Sequence, residues 1–283
     1  MGAGHGNDSQ QGWVAKAACG RSLEAQIADI KTYGNHGATP MLRAMILGAS
    51  GIARTRDRAE NVLLFGCYRP FSTPYLVRDA VRLLDLLGVP YTWLDKEYCC
   101  GLPLLHQIEP GGREGVLAAV REFLNANREL VRERDGDRLV YCCAGCAHTA
   151  RAALPEAQAE HVYFLDVLLD KLESRPLGMA PLSVAFFEGC HTSYRLPFPD
   201  TSLDWGRYRR FLDTIDGLTV TDVSNKTCCK TQADKIIETA MGRGADALVC
   251  ACSGCNVALR AAGRGKLPVL SYPELLLRCV EGG

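Results

Sequence analysis

The stretch 139-LVYCCAGC-146 returns later in the chain as 248-LVCACSGC-255. Each joins an apolar lead-in to a small-Gly-Cys ending. A short apolar run closed by turn residues reads as a buried strand, so each copy sets a CxxC turn at the carboxyl end of a strand. Reading outward finds more of the same plan. The run 61-NVLLFGC-67 has its counterpart in 183-SVAFFEGC-190, and 98-YCCG-101 has its counterpart in 227-TCCK-230. One order of lone Cys, vicinal pair and CxxC thus occurs twice, which marks an internal duplication. The spacings are C-x31-CC-x42-CxxC and C-x37-CC-x22-CxxC.

Between these anchors the periodicity alternates. Residues 74–88 carry apolar positions at helical spacing and end in Gly, a common helix stop. Residues 89–95 read as a strand, 113–134 as a long amphipathic helix and 138–142 as a strand. In the second copy 233–244 reads as a helix and 246–250 as a strand. Residues 161–174 read as one further helix and 175–181 as a linker. Strand–helix alternation predicts parallel sheets with helices on their faces. Ligands of such sheets gather at the carboxyl ends of strands, where this sequence places its cysteines. The expected fold is therefore α/β: two pseudo-twofold domains, each a small parallel sheet flanked by helices, at 61–178 and 179–283. Residues 1–60 form an extension with a polar, Gly-rich start and two short helices, 22–34 and 41–51, whose role pattern does not reveal.

Lys+Arg and Asp+Glu number 32 each, so the net charge is zero and points away from nucleic acid as a partner. No apolar run approaches the length of a membrane span, and the start does not read as a signal peptide, so a cytoplasmic setting without a transmembrane segment is expected. There the 14 cysteines point to metal or redox work rather than to disulfides. Cys19, Cys142, Cys250 and Cys279 have no matched partner in the other copy and read as core or spare thiols. The other ten do not. A CxxC turn suits zinc, but neighbouring side chains on extended backbone point to opposite sides, and five thiolates exceed what one zinc takes. Both points favour a polynuclear iron–sulfur centre, although no compact ferredoxin run is present. A zinc site and a vicinal redox disulfide are the competing readings.

The doubled order, with details such as 64-LFGCY-68, 98-YCCGLPLLH-106 and 187-FEGCH-191, resembles the CCG (cysteine-rich) domain family over about residues 60 to 283. Within it the resemblance is to the B-type subunit of heterodisulfide reductase and its relatives in heterodisulfide-reductase-like complexes. It implies two noncubane 4Fe–4S clusters facing a shared substrate cavity. One is held by Cys67, Cys99, Cys100, Cys143 and Cys146, the other by Cys190, Cys228, Cys229, Cys252 and Cys255. Two features depart from the family pattern: Lys230 follows the second pair where Gly is usual, and the x22 span is short. Both open the second site to a smaller or altered cluster.

The implied activity is oxidoreduction of a disulfide, a thiol or carrier-bound sulfane sulfur. Arg69, His191 and Lys230 are the candidate catalytic cations, and His106, His148 and Arg195 also lie near cysteines in sequence. No dinucleotide fingerprint is present in a strand–helix setting. Electrons are thus expected from a partner subunit with ferredoxin-type clusters and a flavin-containing subunit. The alternative is an electron-relay subunit of a membrane-associated dehydrogenase of succinate, glycolate, glycerol-3-phosphate or lactate type.

Overall fold

The computed structural model describes residues 21–67, 69–108, 113–189, 203–224 and 227–282. The chain enters through α1 (Leu23–Tyr33) and α2 (Pro40–Ala49) and then builds the first sheet. In order come β1 (Asn61–Leu64), α3 (Arg69–Ser72), α4 (Pro74–Leu86), β2 (Tyr91–Trp93), α5 (Leu102–Leu105), α6 (Glu114–Arg132), β3 (Arg138–Tyr141), α7 (Ala144–Ala153), β4 (His161–Tyr163) and α8 (Phe164–Leu172). The second half follows as β5 (Gly178–Phe187), α9 (Trp205–Leu212), β6 (Asp216–Asp222), α10 (Ala233–Gly242), β7 (Ala247–Cys250), α11 (Ser253–Ala262), β8 (Val269–Ser271) and α12 (Tyr272–Gly282).

Both sheets are four-stranded and wholly parallel, and both have the same order: β2-β1-β3-β4 and β6-β5-β7-β8. The duplication read from cysteines is therefore a duplication of topology. In each sheet the order reverses beside the first strand, so the crevice for a ligand lies between the carboxyl ends of β1 and β3, and of β5 and β7. The strands are apolar because both faces are covered: Val62, Leu63, Leu139, Val140, Leu248 and Val249 are at most 1% exposed. Helix α4 buries Leu76, Val77, Ala80, Leu83 and Leu84 at helical spacing, and α6 buries Val116, Val120, Phe123, Leu124 and Val131.

The extension is seated on the first half. Arg43 of α2 is buried, with Nη1 donating to Leu94 O at 2.7 Å and Nη2 in an ion pair with Glu97 at 3.1 Å. Gln26 and Gln107 exchange amide hydrogen bonds at 3.0 and 3.1 Å. The two halves share one apolar core, in which Phe186, Val249, Leu270 and Tyr272 join the residues around β1 and β3. Polar ties cross between them: Tyr75 OH donates to Asn256 Oδ1 at 2.8 Å, Tyr163 OH donates to Ala251 O at 3.3 Å, and Arg82 pairs with Glu281 at 2.5 Å.

Two expectations need correction. Residues 161–174 are not one helix: His161–Tyr163 form β4, paired with β3 in the register Leu139↔His161, and the helix starts at Phe164. A three-residue strand running straight into a helix leaves no turn residue to mark the change. Residues 175–181 are not simply a linker either, because β5 begins at Gly178 and its start pairs with β6, itself not anticipated. Its first residues alternate poorly because the pairing shifts register between Gly178 and Leu182. No helix among the described residues is long and apolar enough to cross a membrane.

Candidate metal centre

The first cysteine set is assembled by the carboxyl ends of three strands. Gly66, at φ +80°, turns the chain after β1 and brings Cys67 in; a Cβ there would stand 3.3 Å from Cys146 Sγ. After β2 the chain passes Cys99 and Cys100. Asn127 of α6 holds this segment straight, accepting from Tyr98 N at 2.7 Å and donating to Tyr98 O at 2.8 Å. After β3 comes Cys143, the N-cap of α7, with Cys146 in the first helical turn. The sulfurs meet. Cys99 Sγ lies 3.3 Å from Cys67 Sγ, Cys99 contacts Cys100, Cys100 contacts Cys146 and Cys146 contacts Cys143. The vicinal pair divides its work: Cys99 faces Cys67, and Cys100 faces the CxxC.

The second set repeats this on the other sheet. Cys252 is the N-cap of α11 and Cys255 lies in its first turn. Cys229 Sγ lies 3.2 Å from Cys255 Sγ, and Cys255 contacts Cys252. Cys252 also contacts Cys143 across the interface between the halves. A thread of eight sulfurs thus runs from Cys67 to Cys229 through both sets. Cys228 stands beside it on the wall of the cavity. Cys190, His191 and Arg195 lie outside the described residues.

One cavity of about 220 Å³ serves both sets. Cys67, Cys100, Cys143 and Cys146 of the first set line it together with Cys228, Cys229, Cys252 and Cys255 of the second. Arg69, His106 and Lys230 complete the wall. His148 is fully buried in α7 and does not line the cavity. Arg69 is 3% exposed. Its Nε donates to Ser253 Oγ at 2.5 Å, while Nη1 meets no hydrogen-bond partner among the described residues. A buried guanidinium without a carboxylate among the described residues is costly.

The electrostatics of the thiols follow from their crowding. Cys146 is pushed well above the usual thiol range by its contacts with Cys100 and Cys143 and by burial. Cys100 is also well above it: the contact with Cys146 pulls downward, but the contact with Cys99 and burial outweigh it. Cys255 is raised by Cys229 and Cys252 and by burial. Conversely, hydrogen bonds from Cys143 and Cys255 hold Cys252 well below the ordinary value, and Cys255 together with the charge of Lys230 lowers Cys229. Each set thus mixes donors and acceptors of protons, and full ionisation of all its thiols requires a cation. Helix N-termini aimed at both CxxC turns favour that ionised form. The donor set therefore fits a metal centre of high positive charge, and five sulfurs with a divided vicinal pair fit several metals better than one.

Cys142 and Cys250 close β3 and β7 and take no part in the thread. Burial pushes the Cys142 thiol up to about 12, and Cys250 Sγ sits 3.7 Å from Leu270 O. Cys279 packs on Met179, and Cys19 lies outside the described residues. Two residues beside the thread were absent from the sequence reading. Ser253 is the acceptor for Arg69, and His36 comes from the N-terminal extension, with Nε2 3.7 Å from Cys99 Sγ. No spacing rule links either to the cysteines.

Comparison with known proteins agrees with this architecture. Residues 62–151 match the family model of the CCG cysteine-rich domain. The chain is 28% identical to the D-type subunit of dihydromethanophenazine:CoB–CoM heterodisulfide reductase from Methanosarcina mazei, over 39% of this chain and 26% of that protein. It is 26% identical to the C-type subunit of anaerobic glycerol-3-phosphate dehydrogenase from Escherichia coli, over 62% of this chain and 45% of that protein. An uncharacterized iron-sulfur protein of Methanocaldococcus jannaschii is 24% identical over 61% of this chain and 32% of its own length. The chain therefore spans less than half the length of each of these relatives. Its likeness to the CCG cysteine-rich domain family is carried by residues 62–151.

Proposed function

We propose that this chain is the sulfur-handling iron–sulfur subunit of a heterodisulfide-reductase-like complex. In this reading Cys67, Cys99, Cys100, Cys143 and Cys146 hold one noncubane 4Fe–4S centre, and Cys190, Cys228, Cys229, Cys252 and Cys255 hold a second. The observation that carries it is one cavity lined by cysteines of both sets. Such centres supply one-electron transfer together with soft positions for a substrate sulfur. The chain's own residues do the rest. Arg69 binds an anionic group of the substrate and is held in place by Ser253. Lys230, next to Cys229, keeps the local potential positive. His191 follows Cys190 and is the proton donor for a departing thiolate. The apolar walls, Phe65 and Leu102 among them, keep water away from the sulfurs.

The substrate class is a small disulfide or thiol bearing an anionic group, or a carrier-bound sulfane sulfur. Electrons pass to or from a partner with ferredoxin-type clusters and a flavin-containing one, in the cytoplasm. A second reading is an electron relay for a membrane-associated dehydrogenase. Its support is that the match to the glycerol-3-phosphate dehydrogenase component extends over 62% of this chain, against 39–49% for the heterodisulfide reductase components.

Titration of the anaerobic protein with a small anionic thiol, followed by electron paramagnetic resonance, separates the two readings. A catalytic centre changes its signal on thiol binding, and Arg69→Met weakens that binding at least about tenfold, as expected for loss of a charge-assisted contact. A relay centre's signal does not respond to the thiol.

A further inference from the structure

The N-terminal extension carries a short loop between α1 and α2 whose deepest side chain is that of His36, 1% exposed. The loop is built to hold it there. Gly34, at φ +81°, packs so tightly that a Cβ would meet Glu97 O at 2.1 Å, and its carbonyl accepts from Cys99 N at 2.6 Å. Asn35 closes the turn, donating to Ala38 O and accepting from Ala38 N, both at 2.7 Å. The Arg43–Glu97 ion pair locks the same segment from the other side. The outcome is that His36 Nε2 stands 3.7 Å from Cys99 Sγ, Cys99 Sγ stands 3.3 Å from Cys67 Sγ, and the three donor atoms all lie within 4.8 Å of one another. Thiolate and imidazole bonds of about 2.0–2.3 Å to one tetrahedral ion place such donors roughly 3.5–3.8 Å apart. The observed separations are close to that.

We infer that His36 is a nitrogen donor to the metal centre of the first cysteine set, bound to the same metal as Cys67 and Cys99. This rests on the iron–sulfur reading above and adds to it a ligand that lies outside the duplicated cysteine pattern. The imidazole is neutral, so it adds a donor to the centre without adding charge. Among the described residues no histidine stands against the second set in this way.

The experiment uses the full chain, purified anaerobically, with 14N-histidine in a 15N background. Pulsed electron paramagnetic resonance on the reduced protein then reads histidine nitrogen directly, alongside iron and sulfide analysis. The expected result is a strong coupling to one histidine nitrogen. It persists in His191→Gln and disappears in His36→Gln. Iron and sulfide present without any histidine coupling overturns the assignment of His36 while leaving the cluster reading intact. The same holds for a coupling lost in His191→Gln, a comparison that needs no His36 variant to fold. Protein lacking iron and sulfide overturns the iron–sulfur reading and this ligand with it.

Discussion

The two cysteine sets grow from the same four-strand plan, yet their surroundings differ. Around the first, the sides away from the cavity are filled. Gly101 follows the vicinal pair at φ +76° with α6 pressed against it, the His36 loop covers Cys67 and Cys99, and Asn127 pins the strand exit. Around the second, exposed Lys230 stands where Gly101 stands in the first, and the ten-residue α10 replaces the nineteen-residue α6. In the first set Cys99, Cys100 and Cys146 are all raised; in the second Cys255 is raised while hydrogen bonds with neighbouring thiols lower Cys229 and Cys252. The lesson is that duplication conserves strand ends and helix starts, while the loops between them decide how enclosed and how anionic each site is.

The sharpest way to break the comparison is to remove one sulfur from each set. Cys100→Ser is expected to abolish the first centre and leave the second, and Cys229→Ser to do the reverse, each lowering iron by about half of a two-cluster content. Iron analysis of the two variants checks this; equal loss of both centres from either one shows that the sets are not independent.

The next largest effect concerns what holds the extension on the first site. Glu97→Gln leaves Arg43 buried without its carboxylate and should cost about 3–5 kcal/mol by urea unfolding of the metal-free chain. A loss below about 1 kcal/mol contradicts a buried pair at this place.

A third contrast tests the residue after each vicinal pair. In Gly101→Ala the new methyl would sit 2.2 Å from Val120 Cγ2 in a left-handed backbone, so about 2–4 kcal/mol of stability is lost. Lys230→Gly, at an exposed position, should shift stability by less than about 1 kcal/mol. Comparable losses would show that the second site is as tightly packed as the first.

The smallest predicted effect is a pH dependence confined to the first sheet. His161 of β4 occupies the position that Val269 holds in β8, since they pair with Leu139 and Leu248 in turn. Burial, helped by the charge of Arg128, lowers its pKa to about 4. The folded state therefore resists protonation. The stability is intact above the unfolded value of about 6.5 and is lost as pH falls from there towards 4. Wild type should lose about 2–3 kcal/mol over that window relative to His161→Val. Parallel pH profiles of the two proteins contradict this.

Much of the fold was legible because its signals are local. Apolar runs ending in Gly-Cys gave the strands β1, β3, β5 and β7, and helical spacing gave α4, α6 and α10. The vicinal pair does not diverge as alternate side chains on extended backbone would: Cys99 and Cys100 touch each other, while Cys99 also reaches Cys67 and Cys100 reaches Cys146. What escaped was contextual. The three-residue strands β4 and β8 run directly into helices and look like their first turns. The helices α7 and α11 begin at the CxxC turns themselves, where Gly and Cys carry little helical signal. The stretch 35-NHG-37 reads as an ordinary turn. Only the packing of Gly34 against Glu97 reveals that it delivers an imidazole to Cys99, a contact across 63 positions that no local pattern encodes.

The central claim is that the sulfurs converge on polynuclear iron. Its most direct test is the iron and acid-labile sulfide content of the anaerobically purified chain. The account predicts iron and sulfide in near-equal amounts, approaching about four of each per cysteine set. Zinc in place of iron, or iron without sulfide, would contradict it.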